Sequence, residues 1–151
     1  MLTTLNKILF VLVFSFLTWN VSGQEAKFFN KLDSNQRRSI TKNVFNEIEM
    51  EISTGKASSI SRFLSGQTYL SLSNGVNGYY SSNQAFYILE DYFKIHRVIS
   101  FKLQSIKTEE DVPYAIGIFY FDHRGKRGTA RVYISLNKSG NNWKISQLTI
   151  N

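Results

Sequence analysis

Apolar and polar residues change their spacing several times along this chain, and each change predicts an element. Ile8 to Leu17 (ILFVLVFSFL) is apolar apart from Ser15, follows Lys7, and gives way to a polar, small-residue exit from Thr18 to Gln24. That order is the one found in secretory signal peptides, and the run is shorter than the ~20 residues a membrane span needs. Val21 and Gly23 suit the cleavage positions, so residues 1–23 are expected to be removed and the mature chain to begin at Gln24. A retained anchor helix is the competing reading, although Trp19 and Asn20 end the apolar run early. Gln24 to Asp33 is expected to be a flexible lead, with Phe28 and Phe29 able to dock on the body, and residues 34–151 a single domain.

Helical spacing follows. Val44, Phe45, Ile48 and Ile52 fall on one face of a helix expected from about Ser34 or Ser39 to Thr54, with Gly55 placed as a C-terminal glycine. Ile60, Phe63 and Leu64 give a short second helix, Ala57 to Leu64, its apolar side. Gln67 to Ser73 alternates like a strand, and Asn74 to Tyr80 (NGVNGYY) reads as a turn or hairpin. Ser81 and Gln84 form a capping box that opens a third helix with a broad apolar half: Ala85, Phe86, Ile88, Leu89, Tyr92 and Phe93. Four strands are expected after it, at Val98–Thr108, Pro113–Asp122, Gly128–Asn137 and Asn142–Ile150. Their short connections favour antiparallel neighbours, so the class is α+β with helices on one sheet face.

Composition narrows the function classes. Of 18 basic residues, Lys7 leaves with the signal segment; the remaining 17 against 11 acidic give the mature domain a formal +6. A basic balance ordinarily suggests nucleic acid, but export makes nucleic acid an unlikely partner and points to anionic lipid or polysaccharide. With no cysteine, thiol catalysis, thiolate metal sites and disulfides are excluded.

Four stretches carry a family resemblance: Ile48 to Leu72, Tyr79 to His96, Tyr114 to Phe121 and Gly128 to Ile150. Together they resemble the nuclear transport factor 2-like superfamily and, within it, an exported bacterial family, domain of unknown function 4783. The resemblance implies an α+β fold in which three N-terminal helices pack on a strongly curved, mainly antiparallel sheet, making a cone. It brings no catalytic residues with it, and a shape shared by isomerases, dehydratases, transport factors and inert modules lends no activity by itself.

Candidate chemistry is sparse. His96 falls within the apolar stripe of the third helix, so it can be read as a general base in the cone's cavity. Its position at the helix end favours a second reading, in which imidazole caps free carbonyls at the C-terminus. Asp122 closes a strand, where the resemblance to the superfamily implies room for a catalytic acid, and is the candidate acid on that ground. Glu47 and Glu51 share a helix edge, and Glu109-Glu110-Asp111 is a charged loop; neither has the spacing of a metal site, and no cofactor is expected. The two histidines stand apart in sequence, and no nucleophile elbow or phosphate loop is present.

The densest basic cluster, HRGKRG, puts Arg124, Lys126 and Arg127 on an expected hairpin tip, where they would contact an anion or simply keep the turn soluble. In Ala130 to Leu136 one face is apolar, and the other carries Arg131 and Tyr133. Tyr114 to Phe121 is apolar or aromatic on both faces, although a sheet with helices on one side needs only one. A second subunit is the simplest cover, making a homodimer with Arg131 and Tyr133 in its interface; the Gln24–Asp33 lead is the alternative. The chain thus reads as an exported binding or interaction module. An isomerase or dehydratase acting on a small molecule, or a site for a small apolar ligand in the cone, is the competing class.

Overall fold

The computed structural model describes the backbone of residues 22–151 and the side chains from Asp33 onward. The expected signal segment and the side chains of Phe28 and Phe29 lie outside the described residues. A boundary after Arg37 separates the compact body, Arg38–Asn151, from the chain before it. Among the described residues no helix is long and apolar enough to cross a membrane.

Helix α1 spans Ser22–Ser53. Helical backbone therefore begins well before Ser34 and includes Gln24 to Asp33. Glu and Lys, good helix formers, are frequent there, no proline or glycine interrupts after Gly23, and Asp33 pairs with Arg37 one turn on at 3.3 Å. Phe45, Ile48 and Ile52 form its fully buried stripe. Gly55 ends it with φ 70° and donates its N–H to the Ile52 carbonyl, as a glycine stop should. Helix α2 is only Ala57–Ser61, because Phe63 and Leu64 are drawn into the sheet. Helix α3, Ser82–Ile95, has the capping box: Gln84 N–H donates to Ser81 Oγ, and Ser81 N–H donates to Gln84 Oε1.

Six strands make one sheet: β1 Leu64–Leu72, β2 Asn77–Ser81, β3 Arg97–Lys107, β4 Tyr114–His123, β5 Lys126–Ser139 and β6 Asn142–Ile150. Their spatial order is β2-β1-β6-β5-β4-β3, and every neighbouring pair is antiparallel except β1 and β6. The Asn74–Tyr80 stretch is thus a tight turn followed by a strand of its own. Bulges interrupt β3 after Val98 and Leu103, β6 at Ser146 opposite Ser135 and Leu136, and β1 after Leu64, and each bulge bends and twists its strand. In β1 the interruption is satisfied locally: buried Thr68 Oγ1 donates to the Ile145 carbonyl.

The inner face of the sheet holds the core. Phe101, Ala115, Phe119, Val132, Ile134 and Leu136 point inward and meet α1 and α3, chiefly Phe45, Leu89, Tyr92 and Phe93. Gly117 belongs to that layer because nothing larger fits. A Cβ there would lie 2.6 Å from the Lys102 carbonyl oxygen and 2.8 Å from the Phe101 ring.

Candidate functional site

The β4–β5 connection is tighter than its basic run suggests. Arg124 and Gly125 both have positive φ, 55° and 81°, which makes a two-residue turn that matches the twist of its strands. Asp122 Oδ1 accepts the Gly125 N–H at 2.9 Å, and its second oxygen faces Arg97 at 4.0 Å. Asp122 is thereby committed to holding the turn. Lys126 and Arg127 are the first residues of β5, opposite His123 and Asp122 respectively. Strand alternation sends them to opposite faces, so Arg124, Lys126 and Arg127 do not form one contact surface.

On the inner face beneath this hairpin, the structure unites two histidines that stand apart in sequence. Their ring centroids are 5.0 Å apart. His96 is the C-cap of α3; its N–H donates to the Tyr92 carbonyl at 2.8 Å, and its Nδ1 lies 3.3 Å from the same oxygen. Its ring stacks on Tyr92 at 4.3 Å and meets the edge of Phe121 at 5.0 Å. Burial pulls the His96 pKa below its ordinary value; the Tyr92 carbonyl opposes that shift and neighbouring His123 adds to it. Neutral imidazole can accept a proton, but with Nδ1 turned to the carbonyl only Nε2 is left to do so. His123 Nδ1 is buried without a hydrogen-bond partner. Tyr92 is fully buried and bonded to Ser73 at 3.0 Å, and its hydroxyl is pushed up by that burial. Gly128 lets this cluster close, since a Cβ there would sit 2.6 Å from the Phe121 ring.

The outer face of the same strands is only partly buried. Tyr114, Ile116, Ile118 and Tyr120 alternate along β4, with Arg131 and Tyr133 opposite Ile118 and Ile116 on β5. Tyr114 and Tyr133 stack at 5.5 Å, and burial raises the Tyr133 hydroxyl pKa, with Tyr114 adding to the shift. At the hairpin end, the bulged Ile99 is 49% exposed and Tyr120 42%. With Ser100, Arg127, Gly128 and Thr129 they line a pocket of about 350 Å³. Its floor is apolar and its rim carries hydroxyls and one guanidinium. Among the described residues, neither Arg127 nor Arg131 has a carboxylate partner.

The other charged candidates are tied down. Arg62 bridges Glu47 at 3.5 Å and Glu51 at 3.0 Å, so that pair is a structural rim. Glu49 binds Lys102 and accepts the Leu103 N–H, fastening α1 to edge strand β3. No set of three His, Cys, Asp or Glu among the described residues could hold a metal ion.

The model of the domain of unknown function DUF4783 matches residues 45–151, which include every strand, α2, α3 and the end of α1. The chain belongs to the DUF4783 family. A solved DUF4783 protein from Bacteroides uniformis is 20% identical, with a TM-score of 0.63 over 70% of this chain and 94% of that one. A chain described as Rd1NTF2_04 with long sheet is 13% identical, with a TM-score of 0.58 over 73% and 98%. A domain of unknown function with a cystatin-like fold from Nostoc punctiforme is 9% identical, with a TM-score of 0.59 over 77% and 76%. At such identities the likeness is one of fold, and it agrees with the α+β architecture. No curated protein matches this DUF4783 chain.

Proposed function

We propose that this DUF4783 protein is an exported interaction module that binds through the outer face of its sheet, and that its first partner is a second copy of itself. The observation supporting the reading is the outward row Tyr114–Ile116–Ile118–Tyr120, half-buried over its first three residues and exposed at Tyr120, whereas its inward neighbours on the same strand are fully buried. Apolar and aromatic side chains left partly exposed in a contiguous row suit a contact surface. The acid–base alternative is weaker on the same page. Tyr92, Phe93 and Phe119 pack ring to ring at the inner centre, Asp122 is engaged by the turn, and His96 by a carbonyl.

One observation favours an additional anion contact. Arg124 occupies the left-handed region, φ 55°, which costs a non-glycine residue about 1–2 kcal/mol, and its guanidinium has no carboxylate partner among the described residues. Acidic vesicles or polysaccharide are the partners that would use it.

Sedimentation of the protein recovered after export, whose intact mass should begin at Gln24, tests the main reading. A dimer is expected at micromolar concentration; a strict monomer up to millimolar concentration overturns it.

A further inference from the structure

We infer that the outer-face pocket of one copy receives the β3–β4 loop of the other, with Val112 entering between Ile99 and Tyr120 and the carboxylates of Glu110 and Asp111 meeting Arg127. This rests on the reading that the outer face self-associates, and it names how the two copies lock.

The loop has the chemistry the pocket asks for. Three acidic residues precede Val112, which is 46% exposed. Glu109 already pairs with Arg38 at 3.6 Å, whereas Glu110 and Asp111 have no ion-pair partner among the described residues. The base of the loop is firm: Pro113 is buried, and its carbonyl accepts the Leu136 N–H at 2.9 Å. The pocket offers an apolar floor, the unpaired Arg127 at its rim, and Arg131 farther along the same face of β5. An apolar side chain flanked by carboxylates complements an apolar hollow flanked by guanidinium groups.

Position along β4 supplies the symmetry. The acidic loop precedes Tyr114 at one end of the strand, and the pocket surrounds Tyr120 near the other. Six residues at about 3.3 Å each put roughly 20 Å between Tyr114 and Tyr120. A two-fold axis lying between two facing outer faces, perpendicular to β4 and level with Gly117, runs the two β4 strands antiparallel and lays each acidic end on the partner's basic end. One operation makes the contact twice, as an isologous dimer requires. Stacking the strands in parallel would set acid on acid and base on base. Between the two locks lie Ile116, Ile118 and Tyr133, with Lys102 and Arg131 on either side of Ile118.

Sedimentation of charge variants tests the lock. Reversing the loop (Glu110→Arg with Asp111→Arg) and neutralising the pocket (Arg127→Gln) should each raise the dimer Kd about tenfold or more. The glutamine avoids placing a second carboxylate opposite Asp122. Arg127→Glu with Asp122→Asn, whose amide oxygen still accepts the Gly125 N–H, should restore dimerisation when combined with the reversed loop, and Val112→Ser should weaken it with an unchanged melting temperature. Added salt should weaken the parent dimer. A parent dimer indifferent to these changes, or single variants that the combined reversal does not rescue, overturns the lock and leaves outer-face association standing. A parent monomer removes both.

Discussion

Strand β4 has two faces made from similar residues and two different fates. Inward, Ala115, Gly117 and Phe119 are enclosed between α3, β3 and β5, and Phe119 packs within 6.4 Å of the Tyr92 ring and 6.2 Å of Phe93. Outward, Tyr114, Ile116 and Ile118 are half-buried and Tyr120 is exposed, with Lys107, Ser105, Lys102 and Ser100 as cross-strand partners on one side, and Ser135, Tyr133, Arg131 and Thr129 on the other. Residue type does not distinguish the faces, since both are aromatic and aliphatic. Burial does: the inward residues are fully enclosed within the chain, and the outward row stays half-buried, ending in an exposed Tyr120. Stability should therefore reside on one side of the strand and association on the other.

The largest contrast is expected from adjacent residues. Phe119→Ala removes a fully buried ring and should cost about 3–5 kcal/mol of unfolding free energy. Tyr120→Ala should leave the unfolding free energy of the monomer within about 0.5 kcal/mol while weakening self-association. Urea unfolding at dilute concentration, beside sedimentation, reads both. Equal stability losses at the two positions would erase the distinction between the faces.

A smaller effect tests how tightly the inner face is closed. Gly117→Ala places a methyl group against the Lys102 carbonyl oxygen at 2.6 Å, a backbone atom fixed in the β3–β4 ladder. Overpacking of that kind should cost about 1–3 kcal/mol. Gly128→Ala also makes a short contact, but with the half-buried Phe121 ring, which can turn aside, so its loss should be the lesser of the two. The reverse ranking in thermal melts would mean that β3 and β4 can part more readily than the register implies.

Local chemistry in this chain was readable before any coordinates, and long-range chemistry was not. The Ser81–Gln84 capping box, the Gly55 stop and the alternation of Ala130 to Leu136 each depend on residues a few positions apart, and each stands where its pattern put it. The α+β class followed from the same patterns, and the family from the four matching stretches. By contrast, the pairing of His96 with His123 depends on the β3–β4 register, which is interrupted after Val98 and again after Leu103. Nothing in the residue types announces those bulges, and one of them brings Ile99 to the pocket. The hairpin at HRGKR is present but tighter than its sequence indicates, for a related reason. Arg124 gives no sign of accepting a positive φ, so the residues suggest a turn over His123 to Arg127, whereas the strands leave only Arg124 and Gly125 between them. Glu49 also escaped notice, because its partners lie in β3, far along the chain.

The smallest expected effect lies where the inner face meets solvent, at His96. Its folded pKa is lowered, first by burial. The unfolded chain therefore binds the proton more readily across the interval from the folded value up to the ordinary 6.5. Stability from this group is fully present above that ordinary value and is lost as pH falls through the folded one. His96 is only half-buried, so solvent screening keeps the contribution modest. His96→Phe preserves a ring against Tyr92 and removes the titration. Its urea midpoint should fall less than the parent's between about pH 7.5 and pH 5, both measured with the protein dilute enough to be monomeric. Tyr120→Ala, on the outer face, should keep the parent's slope. If the His96→Phe slope matched the parent's, the acid sensitivity would belong to other groups, and the closed end of the inner face would contribute nothing to it.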